Sequence, residues 1–343
     1  MRRVKFALFA AALVLLIAGS VLYVVFQSWL AQPFGQDAAG YVLDVPPGSS
    51  VQTVARQLAA DGILAHPRWL ELQARLAGQA TRIRAGEYEL SITTTPARLL
   101  DQLVSGRVRL HSLTIVEGWT VYQLLDALQR NTQLSHTLHS EGPVELAREL
   151  QLDFPHAEGL FFPDTYRFPK GTRDIDLLRQ AHEQMRQRLD AAWRSRQAGL
   201  PLKTPYEALI LASIVERETA LDSERPMIAG VFIRRLRRNM RLQTDPTVIY
   251  GLGMAFDGNL TRADLESDTP YNTYTRHGLP PTPIALPGQA SLDAAVHPAS
   301  GDALYFVATG KPDGSHVFSA TLQEHNAAVA RYLAELRRQR QRK

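Results

Sequence analysis

The sequence has no cysteine among its 343 residues. Disulfide bridges, thiolate nucleophiles and zinc sites built on cysteine are therefore excluded. Histidine does not replace cysteine as a metal ligand, because His277, His297, His316 and His325 have spacings that match no compact motif such as H-E-x-x-H. We therefore expect no metal site and no cofactor.

The sequence also lacks a large excess of either sign of charge. Its 38 Lys and Arg residues and 34 Asp and Glu residues give a net charge of +4. The main basic run, RRQRQRK at residues 337–343, contains no aromatic residue. Segments that bind nucleic acid commonly combine basic and aromatic side chains. A charge run without aromatics is typical of a solvated helix end, so we expect no nucleic-acid partner.

The N-terminal region has no charged residue between Lys5 and Asp37, and it contains the apolar stretch 6–26. About 20 apolar residues suffice to span a bilayer. A cleaved signal peptide has a shorter apolar region and a small-x-small cleavage site, whereas QSWLAQP follows here. Because positive charges precede the run, we expect a single-pass membrane anchor, with the N-terminus in the cytoplasm and the remainder exported.

Length and pattern predict an α+β protein in four segments. At roughly 150 residues per domain, two domains remain once the anchor is removed. We assign residues 1–30 to a cytoplasmic stub and transmembrane anchor, 31–40 to a tether, 41–105 to a small first module, and 106–343 to a mixed α+β domain with a basic C-terminal tail.

The first module has the pattern strand, helix, helix, strand. Residues 41–64 contain a strand, a Pro-Pro-Gly turn and an amphipathic helix. A second helix begins at Pro67. The strand GEYELSI follows, and its alternation places Tyr88, Leu90 and Ile92 on one buried face.

A similar strand–turn–helix pattern recurs at residues 113–128, where Gly118 takes the place of Gly48. The apolar stripes of the two helices also correspond. One short match leaves a true repeat and a chance recurrence equally open.

The clearest helix start lies at residue 204. Thr204 is a favourable N-cap, Pro205 suits the first helical position, and Glu207 is placed to complete a capping box. An almost unbroken apolar run follows, so this helix is predicted to be buried.

Two glutamates, Glu216 and Glu218, end this apolar helix. At 100° per residue, Glu218 lies on the side of Leu211, Ile214 and Val215, whereas Glu216 lies almost opposite. Desolvation beside bulky apolar side chains favours a protonated carboxyl group, and such an acid can protonate a leaving group. From the residues alone, an ion pair of Glu218 with an arginine remains equally open, the candidates being Arg217, Arg225 and Arg234.

Four stretches carry a family resemblance: EGLFFPDTYRF (158–168), ASIVERETALDSERPMIAGVFIRRLRRNMRLQTDPTVIYGLG (212–253), DTPYNTYTRHGLPPTPIALPG (268–288) and AAVHPA (294–299). They strongly resemble the endolytic murein transglycosylases, the YceG-like family of lytic transglycosylases. The resemblance covers nearly the whole chain. It implies that the first module is similar to a LysM-type glycan-binding module.

The resemblance also implies an activity, namely cleavage within peptidoglycan glycan strands by a single glutamate. That glutamate corresponds to Glu218 in the triplet RET. It would protonate the glycosidic oxygen and then accept the proton of the C6 hydroxyl, which attacks C1 and leaves a 1,6-anhydro end. The resemblance further implies work alongside peptidoglycan synthases, ending glycan strands as they grow.

Polar residues around the second half of the chain are candidates for substrate binding. The segment LQTDPTVIYG can be a sugar-binding loop or a turn that caps the following helix. We favour a sugar contact for Gln243 and a helix cap for Asp245. The tyrosines of YNTY are suited to packing on sugar faces, and its asparagine to bonding an acetamido group. The candidate substrate-binding residues are Gln243, Thr244, Asp245, Tyr271, Asn272, Tyr274 and Glu158; for Glu158 a salt bridge is equally open.

Two alternative functions remain at this stage. A muramidase would hydrolyse the same bond with water, using Asp245 or Glu224 as a second carboxylate. A non-catalytic peptidoglycan-binding scaffold would show no turnover.

Overall fold

A computed structural model of the chain describes residues 2–341; Met1 and the last two residues of the predicted basic tail lie outside the described residues. The described part mixes helices with three two-stranded sheets and begins with an apolar helix. The chain divides into a first unit, Met1–His111 with Arg167–Thr172, and a second unit, Ser112–Tyr166 with Arg173–Lys343. The mixed α+β class expected from the sequence is confirmed.

The elements of the first unit are α1 (Arg2–Ala31), β1 (Val42–Val45), α2 (Val51–Ala60), α3 (Pro67–Leu76), β2 (Gly86–Glu89) and α4 (Pro96–Ser105). The chain passes between the units within β3 (Leu110–Thr114) and β4 (Thr165–Pro169), which form a two-stranded sheet. The second unit continues with α5 (Val121–Arg130), α6 (Pro143–Glu149), α7 (Asp174–Ser195), α8 (Pro205–Glu218), α9 (Arg225–Arg237), α10 (Asp245–Leu252), α11 (Arg262–Glu266), α12 (Gln289–Val296), β5 (Tyr305–Ala308), β6 (His316–Ser319) and α13 (Leu322–Gln341).

Helix α1 has 30 residues, with a mean hydropathy of 2.7 over its most apolar window. At 1.5 Å per residue it is about 45 Å long, which exceeds the hydrocarbon thickness of a bilayer. That apolar window is not buried against the protein. Only the C-terminal end of α1 packs on the first unit, through the buried Phe26 and Leu30 and the edge-to-face contact of Trp29 with Trp69. The helix is therefore compatible with a membrane anchor.

In the first unit, helices α2, α3 and α4 pack around an antiparallel pair of short strands. Strands β1 and β2 pair from Val42 opposite Glu89 to Val45 opposite Gly86. Tyr88 and Leu90 are buried as the alternation predicts. Ile92 is 47% exposed, so its predicted place on the buried face is wrong. Strand β2 has ended at residue 89, and the hydroxyl of Thr94 then accepts a hydrogen bond from Ser91 N at 2.9 Å in a turn.

Helix α8 is the centre of the second unit. Its N-cap Thr204 accepts a hydrogen bond from Glu207 N at 3.2 Å, as predicted. The reciprocal half of the capping box is absent, because Glu207 accepts from Lys203 N at 2.6 Å. Residues 208–215 are all buried, so α8 is apolar on every side and packs against α7, α9, α10 and α12. Glu216 and Glu218 follow these buried residues, so their environments depend on the segments that pack around the C-terminal end of α8.

Candidate active site

Glu218, the last residue of α8, opens into a cavity of about 560 Å³. The wall is built from the ends of α8 and α9, the loop before α10, Tyr274, both strands of the β5–β6 hairpin, and the first turns of α13. Glu218 and Asp245 are the two carboxylic acids that line it among residues 2–341. The cavity is therefore built from segments that lie far apart in the sequence.

The surroundings of Glu218 favour its protonated form. Burial, followed by the charge of Asp245, raises its pKa, whereas the hydroxyl of Thr244 and the charge of Arg235 lower it; the net effect is a pKa of about 7. Thr244 Oγ1 donates a hydrogen bond to Glu218 Oε1. The negative end of the α8 dipole also disfavours a carboxylate at this position. Glu218 can therefore hold and release a proton near neutral pH.

Arg235 supplies a fixed positive charge beside Glu218. Its Nε donates to Leu304 O, and its Nη1 donates to Leu242 O, both at 2.7 Å. The guanidinium carbon also lies 5.2 Å from the ring centroid of Tyr305. These contacts hold a buried cation at the cavity wall without neutralising it with a carboxylate.

The loop that carries Thr244 has a strained backbone. Gln243 has φ of 51°, which is uncommon outside glycine and costs about 1–3 kcal/mol. Thr273 holds this conformation, because its carbonyl accepts from Gln243 N and its hydroxyl accepts from Thr244 N, each at 3.1 Å. Hydrogen bonds from a neighbouring loop thus compensate the strain. In this conformation Gln243 lines the cavity and Thr244 contacts Glu218.

Asp245 begins α10, and Tyr274 OH donates to its Oδ1 at 2.6 Å. The favoured interpretation of Asp245 as a helix cap is wrong, because the N-cap is Thr244. Thr244 itself makes no side-chain cap bond, since its hydroxyl is used by Glu218. Helix α10 therefore lacks a side-chain N-cap bond, because Thr244 bonds Glu218 instead. Such departures from local rules are common at functional sites.

Glu216 has a different environment, although it lies two residues away. It pairs with Arg225 at 3.2 Å, and the two side chains are only 5% and 6% exposed. Its second oxygen accepts from Gly288 N at 2.9 Å. The arginine partner foreseen for Glu218 thus belongs to Glu216, whose carboxylate is bound inside the protein.

Glu158 and Asn272 do not reach the Glu218 cavity. Glu158 is fully buried and accepts hydrogen bonds from Val121 N at 3.1 Å and from Tyr250 OH at 3.0 Å, and burial raises its pKa to about 7. No salt bridge of Glu158 occurs within residues 2–341. Asn272 is 1% exposed, and its amide nitrogen donates to three backbone carbonyls of residues 264–267. Its predicted direct contact with a sugar is wrong, because the backbone uses the amide.

The remaining candidates divide between two cavities. Gln243, Asp245 and Tyr274 line the Glu218 cavity, whereas Tyr271 lines a neighbouring one. Sequence reasoning missed the residues that only the tertiary fold brings to Glu218: Arg235, Tyr305, Phe306, His316, His325 and Asn326.

The histidines of the cavity are engaged in other contacts. His316 Nδ1 lies 2.7 Å from Glu224 Oε2, and His325 stacks on Tyr305 with a centroid distance of 5.1 Å. Within residues 2–341, no group of three or more His, Asp or Glu side chains is arranged to hold a metal ion. Glu224 is committed to His316, which leaves Asp245 as the second carboxylate available to a hydrolytic mechanism.

Comparison with known proteins gives a family match over most of the chain. The sequence pattern of the YceG-like family matches residues 43–331. An endolytic murein transglycosylase of Bacillus subtilis is 31% identical, over 93% of this chain and 92% of the relative. One of Streptococcus pneumoniae serotype 2 is 27% identical over 88% of this chain, which covers 60% of that longer protein.

A crystal structure of a yceG-like protein from Listeria monocytogenes is also similar. The two sequences are 29% identical, and the match covers 84% of this chain and 98% of the other, with a TM-score of 0.49.

Proposed function

Because the chain belongs to the YceG-like family, we propose that it is an endolytic murein transglycosylase, which cuts glycosidic bonds within peptidoglycan glycan strands. The relatives that match over most of the chain carry this activity in their names. The observation that carries the proposal is Glu218, a carboxyl group with a pKa of about 7 that opens into a cavity.

Glu218 acts first as the acid. Its protonated carboxyl gives a proton to the oxygen that links N-acetylmuramic acid to the next N-acetylglucosamine, and the bond from that oxygen to C1 breaks. The resulting carboxylate takes the proton of the C6 hydroxyl of the same muramic acid, whose oxygen bonds to C1. The product has a 1,6-anhydro end, no water is consumed, and Glu218 regains its proton.

One carboxyl group suffices because the substrate supplies its own nucleophile. Enzymes that use two carboxylates hold them about 5–9.5 Å apart, with the second acting on water or attacking the sugar. An intramolecular hydroxyl gains the rate advantage of proximity instead. Arg235 limits the negative charge that develops around Glu218, and Thr244 fixes the orientation of the carboxyl group.

We also propose where this chemistry takes place and what the remainder of the chain does. In the proposal, α1 spans the inner membrane once with the N-terminus in the cytoplasm, so that the catalytic domain 106–343 is periplasmic. The module 41–105, with its βααβ core, acts as a LysM-like unit that binds glycan. Work beside peptidoglycan synthases would let the enzyme end strands as they grow.

The site of cutting within a strand tests the proposal. Purified long glycan strands should first give products of intermediate length, because an internal cut divides a strand at many positions. The measurement is the strand-length distribution at early times. Release of disaccharides from intact long strands would contradict endolytic action, and the absence of any cutting would contradict the enzyme.

Thr244→Val should shift the pH dependence of the reaction. Glu218 must be protonated to act, so kcat/KM should fall as pH rises through about 7. Removing the Thr244 hydroxyl takes a hydrogen bond from the carboxylate, which raises the Glu218 pKa and moves this fall to higher pH. Loss of the orienting bond should also lower kcat about tenfold. Thr244→Ser, which keeps the hydroxyl, should restore the profile; an unmoved or lowered midpoint in Thr244→Val would contradict the assignment.

A further inference from the structure

A second cavity of about 560 Å³ lies in the same unit and is separate from the Glu218 cavity. Its wall includes Tyr122, Tyr250, Tyr271 and Arg217; we call it the tyrosine cavity. We propose that it binds a neighbouring part of the same glycan strand, with sugar faces on the tyrosine rings and Arg217 on a carboxylate of a peptide stem. This inference rests on the proposed function.

The two cavities share three segments of chain, which are the end of α8, helix α10 and the loop that carries Tyr271 and Tyr274. At the end of α8, Arg217 lines the tyrosine cavity and Glu218 the other, which adjacent helical residues can do because they point about 100° apart. Helix α10 lines one cavity with Asp245 and the other with Tyr250, about 7–8 Å further along its axis. On this basis we expect a strand held at Glu218 to continue into the tyrosine cavity.

The tyrosine rings are fixed before any ligand arrives. Tyr250 OH donates to Glu158, and the hydroxyl of Tyr271 lies 2.8 Å from that of Thr282. The two rings meet edge to face with a centroid distance of 5.0 Å. This gives the buried Glu158 a role, since it holds one wall of the cavity in place. A rigid aromatic wall binds a flat apolar sugar face at a low cost in side-chain entropy.

Tyr122 offers a further ring that the fold does not need. It projects from α5 and remains 56% exposed, and Met254 at the same cavity is fully exposed. An exposed aromatic ring at a concave surface is a common feature of binding sites.

Arg217 adds positive charge to the cavity. One of its nitrogens donates to Gly118 O at 3.1 Å, and no salt bridge of Arg217 occurs within residues 2–341. The neighbouring Glu216 is already paired with Arg225. The other guanidinium donors are therefore available for a carboxylate, such as those that the peptide stems of murein carry.

Binding in a Glu218→Gln background tests this inference without turnover. Adding Tyr122→Ala should weaken the binding of long purified glycan strands about tenfold, as expected for the loss of one aromatic contact of about 1.4 kcal/mol. Tyr122→Phe keeps the ring and should restore affinity. Leu333→Ala, which truncates an exposed apolar side chain on α13, is the matched control and should bind like the parent.

The stem contact is tested with Arg217→Gln in the same background. It should weaken binding of strands that carry peptide stems and leave binding of the same strands with their stem carboxylates converted to amides within about twofold. In the active enzyme, Tyr122→Ala should raise KM for long strands more than it lowers kcat.

The outcomes separate this inference from the proposed function. If the wild-type protein cuts murein but Tyr122→Ala and Arg217→Gln bind strands as the parent does, with melting temperatures unchanged, the tyrosine cavity is not a subsite. If the wild-type protein neither binds nor cuts murein, the proposed function fails and the subsite fails with it.

Discussion

Glu218→Gln should lose murein cutting by about 10⁴-fold or more, the upper end of what removal of a general acid costs. Glutamine keeps the shape of the side chain and still accepts the hydrogen bond from Thr244, but it can neither give nor retake a proton. No second carboxylate shares the task in the proposed mechanism. The measurement is the rate of strand cutting by the purified variant beside Glu266→Gln, which changes an exposed surface carboxyl group.

The same variant should be folded, and at alkaline pH it should be more stable than the wild type. The folded pKa of Glu218, about 7, lies above its ordinary value of 4.5. The free energy of unfolding contributed by this group therefore falls as pH rises from about 4.5 through about 7, because the native state binds the proton more tightly. Glutamine removes this cost, so its melting temperature should exceed that of the wild type above pH 7. A variant that cuts at nearly the wild-type rate would refute the assignment.

Glu216→Ala should have the opposite pattern, with a large loss of stability and retained chemistry. It breaks a buried ion pair with Arg225 and removes the acceptor of Gly288 N. Removing one partner of a buried pair typically costs about 3–5 kcal/mol, and we expect the lower end here because Arg225 also pairs with Asp222. The free energy of unfolding, measured by denaturant titration, should fall by this amount.

Cutting by the folded fraction of the Glu216 variants is the accompanying measurement. Glu216→Gln, which keeps a hydrogen-bond acceptor, should be less destabilised than the alanine variant and should retain measurable turnover at low temperature. A stable Glu216→Gln protein without turnover would show that this carboxyl group takes part in the chemistry.

The sequence selects Glu218 as the candidate acid, but the structure supports this choice for a different physical reason. The angular position on α8 favours Glu218 over Glu216, yet residues 208–215 are buried on every side. The deciding differences are Arg225 beside one glutamate and a cavity beside the other. Both depend on how α8 meets distant elements, which helical periodicity cannot show.

The candidate binding residues show the same limit. Asn272 and Glu158 are polar residues in a region rich in loops, and such loops bury backbone groups that must be bonded internally. Their side chains meet that need, through carbonyls for Asn272 and through Val121 N for Glu158. Local sequence does not distinguish a polar side chain that bonds its own loop from one that faces a ligand.

The most direct test of the one-carboxylate mechanism is the mass of the new ends after cutting in water enriched in heavy oxygen. The proposed mechanism predicts 1,6-anhydro ends that are one water lighter than the reducing ends left by hydrolysis and that contain no heavy oxygen, because the C6 oxygen bonds to C1. Ends that carry the label, and the mass of the added water, would show hydrolysis instead, with Asp245 as the second carboxylate of the cavity.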